Sequence, residues 1–477
     1  MHGKLAEFYH EYRDEIKVFF VFFILYASLT EDYYGANEGS RMALTFSIVD
    51  FLQFQIDHYI DYTFKIDYAE YKGHFYSDKA PGTSILAIPI YVVIKFLGVT
   101  DMAVRLFLIS VFTSGLLSAL ICALLYRMTG YFTKNQMTRV LSTAAYGLGT
   151  MAFPFSTVFF GHQIATFFAF AAFFFLFLIK NEKISKGNLP LVGSLLGISF
   201  LMEYPQAIIV FILVIYFLTF DRKIRDLAKL CIPMALVVSA VFVYNMICFD
   251  SPFSFSYSKA GFYQADFKKG VYGITGLDKE ILLNLTLRPA RGLFVYSPIL
   301  LFSLTGFLYS LRTKYRMESL ICIYISIGVL IFNASYVGWG GGWSYGPRYL
   351  IPMLPFMCLL LVFSLGSKVS RYLSIPFLLA SVAIMTAGTF TNVSTGAEYP
   401  IQDAYEIILQ NKYGGHIGER ALYYKYMLSE KVPLELSIFI ILIALAFVLS
   451  MNAGGDGGKK GQGNLPQTKN KRGLGAL

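Results

Sequence analysis

Apolar runs of about 15–24 residues recur along the chain, a length that suits α-helices crossing a bilayer. The first run, Val18–Thr30, follows a charged stretch and precedes no small-residue cleavage site, so we expect a retained span and not a removed signal peptide. The other well-separated runs predict spans at roughly 140–158, 163–179, 189–203, 206–220, 230–248, 293–310, 319–336, 349–366, 372–391 and 434–451. The pattern predicts an all-α polytopic membrane protein.

Lysine and arginine concentrate in short loops between these runs. The basic loops are 126–139, 180–186, 221–229, 311–316 and 368–371. Since short cytoplasmic loops are rich in lysine and arginine, we place these loops inside. The outer side then holds the loops 31–83, 249–292, 337–348 and 392–433, with short turns near His162 and Glu203. Residues 1–451 form one transmembrane domain, and the Gly-rich basic tail 452–477 is predicted to be disordered and cytoplasmic.

The region between the first outer loop and the basic loop 126–139 does not fit a simple alternation. The chain must cross the membrane an odd number of times here to pass from the outside to the inside. The region nevertheless contains two apolar runs, 84–98 and 103–126. Either the run 84–98, which contains Pro89, is a re-entrant or interfacial helix, or one basic loop breaks the charge rule. The predicted count is 12 or 13 spans, and 12 is preferred.

Composition agrees with a membrane protein and argues against several other classes of function. Of the 477 residues only 15% are charged, and the mean hydropathy is +0.56. The net charge of +10 lies in short loops, so it indicates topology and not nucleic-acid binding. The five cysteines lie in or beside apolar runs without paired spacing, so we expect packed thiols and neither disulfides nor a metal site. Motifs for nucleotide or zinc chemistry, such as a P-loop or H-E-x-x-H, are absent from the sequence.

The first outer loop holds an unusual acidic and basic pair. The segment "NEGSR" places Glu38 and Arg41 just before "SRMALTFSIVDFLQF", whose amphipathic spacing predicts a helix lying in the membrane interface. A carboxylate at membrane level is costly unless it is paired or used. We therefore consider two roles for Glu38 and Arg41, a functional one and a structural salt bridge between the two residues.

The same loop ends in "GHFYSDKAPG", residues 73–82. Together, "NEGSRMAL" and this element resemble the first luminal loop of the GT-C glycosyltransferases, a superfamily that includes protein O-mannosyltransferases and the lipid A aminoarabinose transferases. That family carries an acidic pair with a nearby arginine, an interfacial helix, and then a Gly-x-x-Tyr-x-x-Lys-Pro-Pro-like element. Gly73, Tyr76 and Lys79 keep that spacing, while Ala80-Pro81 replaces Pro-Pro. Asn37-Glu38 replaces the acidic pair.

The resemblance implies a GT-C fold and an enzyme that moves a sugar from a polyprenyl-phosphate donor to an acceptor hydroxyl at the outer face of the cell membrane. Glu38 is then the general base, because an acceptor hydroxyl must lose its proton. Asp32 is the alternative base, followed by Glu31 and Asp57. Lys79 holds the donor phosphate and Tyr76 flanks it. A cofactor is not required, although Mg²⁺ or Mn²⁺ is compatible, and the acceptor is a lipid, a glycan or a protein.

Other outer-side residues are candidates for the same site. Arg291 and Arg348 lie at outer ends of predicted spans, against the positive-inside trend, which suggests an anionic partner such as the donor phosphate. The Gly-rich block 333–356 carries Tyr336, Trp339, Trp343 and Tyr345, which we expect to wall a sugar or phosphate pocket. His162 and Glu203 occupy outer turns, and we place them near the donor or the acceptor. Glu203 could bind sugar hydroxyls or pair with an arginine.

Two other functions share some of these features. A transporter or flippase of a lipid-linked or anionic substrate would show internal repeats and charges at the centres of spans, and the sequence shows neither clearly. A polysaccharide polymerase or ligase would share the donor and the outer arginines. That class favours a dominant late outer loop, whereas the motifs here lie in the first one.

Overall fold

The computed structural model describes residues 2–31, 34–262, 264–391, 393, 394, 396, 398–402 and 404, with residues 2–10 described by their backbone alone. The predicted span 434–451, the tail 452–477, Asp32 and nearly all of the outer loop 392–433 lie outside the described residues.

The described chain is built almost wholly from α-helices. They are α1 (His2–Ser28), α2 (Ala36–Phe51), α3 (Gly82–Phe96), α4 (Met102–Ser110), α5 (Leu116–Phe132), α6 (Gln136–Gly149), α7 (Ala152–Phe155), α8 (Gly161–Lys180), α9 (Leu189–Met202), α10 (Ala207–Phe220), α11 (Ile224–Phe249), α12 (Gln264–Phe267), α13 (Lys279–Thr286), α14 (Leu293–Tyr296), α15 (Leu301–Ser310), α16 (Arg316–Ala334), α17 (Leu354–Ser364) and α18 (Lys368–Thr391). One turn of π-helix, Val111–Gly115, joins α4 to α5.

Within the described part of the chain, five helical segments are long and apolar enough to cross a membrane. They are Met102–Phe132, Gly161–Lys180, Ile224–Phe249, Arg316–Ala334 and Lys368–Thr391. Five shorter apolar segments accompany them, namely Gly82–Phe96, Lys186–Met202, Tyr204–Phe220, Pro298–Ser310 and Arg348–Ser364. The prediction of an all-α membrane protein is therefore confirmed. Gly82–Phe96 is one of these shorter segments, so whether it crosses the membrane stays a prediction.

The predicted spans 140–158 and 293–310 each contain a break in the helix. The run 140–158 contains a break between α6 and α7, where Thr150 is extended and its Oγ1 accepts a hydrogen bond from the amide of Ala152 at 3.2 Å. The run 293–310 breaks at Ser297, which is non-helical with φ −134° and ψ 69°. Pro298 follows it, and proline disfavours helical geometry at the preceding residue.

Helices pack closely where glycine replaces a larger side chain. On α9, Gly193 and Gly197 face α11, and a Cβ atom on Gly193 would lie 2.0 Å from the carbonyl oxygen of Leu230. Small residues at such spacing let helix backbones approach each other in membrane proteins. The close contact of α9 with α11 therefore depends on Gly193.

The first outer loop folds into a compact cap. After α2 come a 3₁₀ turn, Asp57–Thr63, and an antiparallel hairpin of β1 (Ala69–Tyr71) and β2 (His74–Tyr76), which pairs Ala69 with Tyr76. The carboxylate of Asp50 at the end of α2 accepts hydrogen bonds from the Tyr59 hydroxyl at 2.6 Å and the Tyr91 hydroxyl at 3.0 Å. The cap is thus tied to α3, and it places α2 and Lys79 against the helix bundle.

Replacement of Gly193 by alanine should destabilise the protein. The new methyl group would meet a backbone carbonyl that cannot rotate away, so α9 and α11 must separate, at about 1–3 kcal/mol. Thermal unfolding of the detergent-solubilised protein measures the effect. Gly187→Ala is the matched control, because its Cβ would lie 3.4 Å from the flexible Ser185 hydroxyl. An equal midpoint for both variants would contradict the close-packing role of Gly193.

Candidate functional site

Charged side chains from several separate parts of the chain meet at one end of the bundle. The parts are α2, the segments on either side of the hairpin, the start of α8, the end of α9, the segment before α14, and the Gly-rich turn before α17. The charged residues themselves are buried: Glu38, Arg41, Asp67, Asp78, Lys79, His162, Glu203, Arg291 and Arg348 are each less than a tenth exposed.

Arg41 forms the central ion pair of this group. It lies on α2 one turn after Asn37, whose Oδ1 accepts a hydrogen bond from Arg41 Nε at 3.1 Å. Its Nη2 donates to Glu203 Oε1 at 2.6 Å, and both side chains are almost fully buried. The other terminal nitrogen, Nη1, is buried without a hydrogen-bond acceptor among the described residues.

The pairing of Arg41 corrects one expectation. The structural alternative paired Arg41 with Glu38, but the partner is Glu203, 162 residues away. Glu203 therefore fulfils the second of its two expected roles, pairing with an arginine. In this position the carboxylate occupies space that a side chain at residue 161 would take, since a Cβ on Gly161 would lie 2.1 Å from Glu203 Oε1. His162 Nδ1 lies 3.9 Å from the same oxygen.

Glu38 is buried, and its carboxylate accepts a hydrogen bond at the N-terminus of α2. It is the third residue of α2, and its Oε2 accepts a hydrogen bond from the amide of Gly35 at 3.1 Å, which closes the N-terminus of the helix. Burial raises the pKa of Glu38 to about 7, and the nearby Glu31 carboxylate adds to the shift. Backbone hydrogen bonds and the charge of Arg348 oppose it. Glu38 can thus exchange a proton near neutral pH.

Lys79 is held by two carboxylates. Its Nζ lies 3.0 Å from Asp67 Oδ2 and 2.9 Å from Asp78 Oδ2, and Ser40 Oγ donates to Asp78 Oδ1 at 3.2 Å. Burial alone would lower the pKa of Lys79, but Asp67 and Asp78 outweigh it, so the net shift is upward and the ammonium stays charged. Burial raises the pKa of Asp78, while Lys79 opposes the shift.

Tyr76, expected to flank Lys79, and Asp57, an alternative base, both stabilise the first outer loop. The Tyr76 ring is 6% exposed and meets the Phe249 ring edge-on, with centroids 5.3 Å apart. Asp57 accepts hydrogen bonds from the Phe75 amide and from His74 Nδ1, each at 2.7 Å, and so stabilises the exposed hairpin. The remaining alternative base in the described chain, Glu31, is buried close enough to influence Glu38.

Arg348 enters the site from the Gly-rich turn. Its guanidinium lies 4.9 Å from the centroid of the Phe160 ring and 5.3 Å from that of Tyr349, and its Nε is buried with no acceptor among the described residues. Gly341, with φ +74°, allows the turn to approach, because a Cβ there would lie 3.1 Å from the Arg348 side chain. Together with Arg41 and Lys79, Arg348 acts electrostatically on His162.

Arg291 lies beside this group, but its guanidinium donates hydrogen bonds to main-chain carbonyl oxygens. Its Nε donates to the carbonyl of Gly340 at 3.2 Å and its Nη1 to that of Ala290 at 2.8 Å. Burial lowers the pKa of Arg291, and the positive charge of Arg348 adds to the shift. Arg291 therefore fixes the Gly-rich turn on which Arg348 depends.

An aromatic cavity of about 280 Å³ opens next to His162 and Glu203. Its walls include Tyr204, Tyr257, Tyr336 and Tyr349, together with Gln206, whose Oε1 is buried without a partner among the described residues. Tyr336 was expected at a pocket wall, whereas sequence reasoning missed Tyr204, Tyr257, Tyr349 and Gln206, because tyrosines are common in this chain and nothing local sets these residues apart.

The other aromatic residues expected at the pocket wall, Trp339, Trp343 and Tyr345, do not line this cavity. Tyr345 is fully buried in the core, where its hydroxyl donates to the carbonyl of Ile384 at 2.7 Å. Trp339 packs against the main hydrophobic core, and Trp343 is 67% exposed. Among the described residues no group of three or more histidine, cysteine, aspartate or glutamate side chains could hold a metal ion.

Comparison with known proteins identifies the fold. A family model described as a family of unknown function, DUF6427, matches residues 80–275, and no curated protein matches the sequence. The crystal structure of ArnT from Cupriavidus metallidurans bound to undecaprenyl phosphate is similar with a TM-score of 0.57 at 12% identity, over 93% of this chain and 76% of that one. Its apo state gives a TM-score of 0.53 at 13% identity, over 94% and 76%. Since ArnT is a GT-C glycosyltransferase, the chain has the GT-C fold that the first outer loop predicted.

Breaking the buried ion pair should destabilise the protein strongly. Glu203→Gln would leave Arg41 charged and buried without its counter-ion, and such a loss costs about 3–5 kcal/mol. The control is Glu280→Gln, which breaks an exposed pair with Arg288 and should cost under about 1 kcal/mol. Thermal unfolding compares the two. If both variants unfold at the wild-type temperature, the Arg41–Glu203 pair does not stabilise the fold.

Proposed function

We propose that the protein transfers a sugar from a polyprenyl-phosphate donor to an acceptor hydroxyl at the outer face of the cell membrane. The chain is an integral membrane protein with the GT-C fold, and ArnT, which shares this fold, has been crystallised with undecaprenyl phosphate. Likeness of fold does not fix function, so the proposal rests on the chemistry of the charged group.

The observation that carries the proposal is a pair of buried, unsatisfied cationic donors. Arg41 Nη1 and Arg348 Nε are both buried without an acceptor among the described residues, and both arginines act electrostatically on His162. A buried N–H without a partner is costly, and here the two belong to charged groups. A phosphate oxygen would satisfy them, because arginine binds phosphate through charge-assisted hydrogen bonds.

Lys79 completes the positive surroundings of the phosphate in this scheme. It retains its charge, but Asp67 and Asp78 offset that charge at a distance, so Lys79 acts on the phosphate only by direct contact. Direct binding, as the first-loop motif suggests, requires the phosphate to replace one of the two carboxylates. The scheme requires no cofactor, since the arginines and Lys79 supply the positive charge.

Glu38 serves as the general base. The acceptor hydroxyl gives its proton to the Glu38 carboxylate while its oxygen forms a bond to the anomeric carbon of the sugar. The bond between that carbon and the phosphate oxygen breaks, and polyprenyl phosphate leaves with the electron pair. Arg41 and Arg348 stabilise the negative charge on the leaving phosphate. The aromatic cavity beside His162 and Glu203 receives the sugar or the acceptor.

Glu38→Gln should abolish transfer while leaving the protein folded, because glutamine keeps the shape but cannot accept the proton. In the wild type, kcat/KM should rise with pH between about 6 and 8, since burial raises the pKa of Glu38 to about 7 and only the ionised form accepts a proton. Release of undecaprenyl phosphate from a panel of undecaprenyl-phosphate-linked sugars measures the rate. Glu70→Gln, on the exposed part of the same loop, is the control. Wild-type turnover by Glu38→Gln would remove its role as base.

Arg348→Gln should weaken the binding of undecaprenyl phosphate by at least about tenfold, because a hydrogen bond to a charged group is lost. Arg288→Gln removes the same charge from an exposed position on the same side of the chain and should leave affinity unchanged. Direct binding to the purified, detergent-solubilised protein compares them. Unchanged affinity in Arg348→Gln would exclude this arginine from the phosphate site.

A further inference from the structure

A second charged cavity lies at the opposite end of the helix bundle. The helix α8 begins at Gly161, beside the candidate site, and its 20 residues span about 30 Å before it ends at Lys180. Around that far end, α1, the end of α5 and the start of α6 enclose a depression of about 520 Å³. Its lining contains five basic and three acidic side chains, so it carries an excess of positive charge.

Two arginines of this cavity are fixed in position. Arg127 lies 3.3 Å from Glu11 and 3.4 Å from Glu15, and its guanidinium stacks 4.6 Å from the centroid of the Tyr12 ring. A guanidinium held on an aromatic ring and a carboxylate loses little freedom when it binds a further group. Arg127 is therefore preorganised for an additional anion.

The second arginine, Arg139, is held in the same way. It lies over the Tyr126 ring at 4.0 Å, donates to the Tyr126 carbonyl at 3.2 Å, and lies 3.7 Å from Glu15. Its Nε is buried with no acceptor among the described residues. Glu11 and Glu15 thus form ion pairs with these arginines, and they do not neutralise the other basic side chains of the cavity.

Two lysines complete the positive lining. Lys134 and Lys183 face the same depression and form no ion pair within the described part of the chain. They reach it from different loops, one after α5 and the other after α8. Basic residues from several helices that converge at the end of a membrane bundle suit an anionic headgroup.

We propose that this cavity binds a phosphate group, supplied by the headgroup of an anionic phospholipid in the leaflet at that end of the bundle. The phosphate oxygens would contact Lys134 and Lys183, with Arg127 and Arg139 behind them. Two helical segments beside the cavity, Met102–Phe132 and Gly161–Lys180, are long and apolar enough to cross a membrane, which favours a lipid over a soluble phosphate compound. This inference is independent of the transferase proposal, because its residues lie at the other end of α8.

The test uses the full-length protein in detergent and three probes: phosphatidylglycerol, phosphatidylcholine and inorganic phosphate. Phosphatidylglycerol should bind with at least about tenfold higher affinity than zwitterionic phosphatidylcholine, and added salt should weaken it. Lys134→Ala combined with Lys183→Ala should reduce the affinity for phosphatidylglycerol by about tenfold or more. Both lysines are exposed, so the double variant should fold.

The matched control is Arg312→Ala combined with Lys314→Ala, which removes two positive charges from another basic loop, between α15 and α16. If this control loses as much affinity as the cavity variant, or if phosphatidylglycerol and phosphatidylcholine bind equally, the proposal is overturned. Unchanged affinity in the cavity variant overturns it as well. Inorganic phosphate that competes at similar affinity would retain the phosphate site but assign it to a soluble ligand.

Discussion

The buried contact between Arg41 and Glu203 is the interaction on which the site depends. It joins α2 of the first outer loop to the end of α9 and, through Gly161, to the start of α8. Burying two charges is expensive, and the pair persists because the geometry is close and Asn37 binds the guanidinium as well. The loop is thereby fixed against the bundle, and Glu38 and Lys79 take defined positions.

The cations of the site differ in how many partners they have. They therefore differ in how readily they could bind an anion. Lys79 has two carboxylate partners, Arg41 has one, and Arg348 lies against aromatic rings with its Nε unpaired. An anion entering the site would therefore meet the two arginines first. Donors held in place before the substrate arrives require little reorganisation, which is the main electrostatic advantage of an enzyme site.

The two ends of the bundle differ in construction. At one end, the folded first outer loop brings buried charges such as Glu38, Arg41 and Lys79 to the bundle, and a cavity of aromatic side chains lies next to His162 and Glu203. At the other, short loops leave lysines exposed around a polar depression. The long apolar helices between them separate the two environments, as a membrane protein requires when each end faces a different aqueous surface.

The sequence by itself determined the features that depend on local order. Apolar length predicted most helices, the spacing of Glu38, Arg41, Tyr76 and Lys79 indicated the first-loop motif, and the resemblance led to the GT-C fold. Only the tertiary structure decided which charges are partners: Arg41 with Glu203, and Lys79 with Asp67 as well as with its neighbour Asp78. It also buried Tyr345 in the core and brought Tyr204, Tyr257 and Tyr349 to the cavity beside Tyr336. The reason is physical: helix formation depends on near neighbours, whereas burial and ion pairing depend on residues that are distant in sequence and become adjacent only when helices pack.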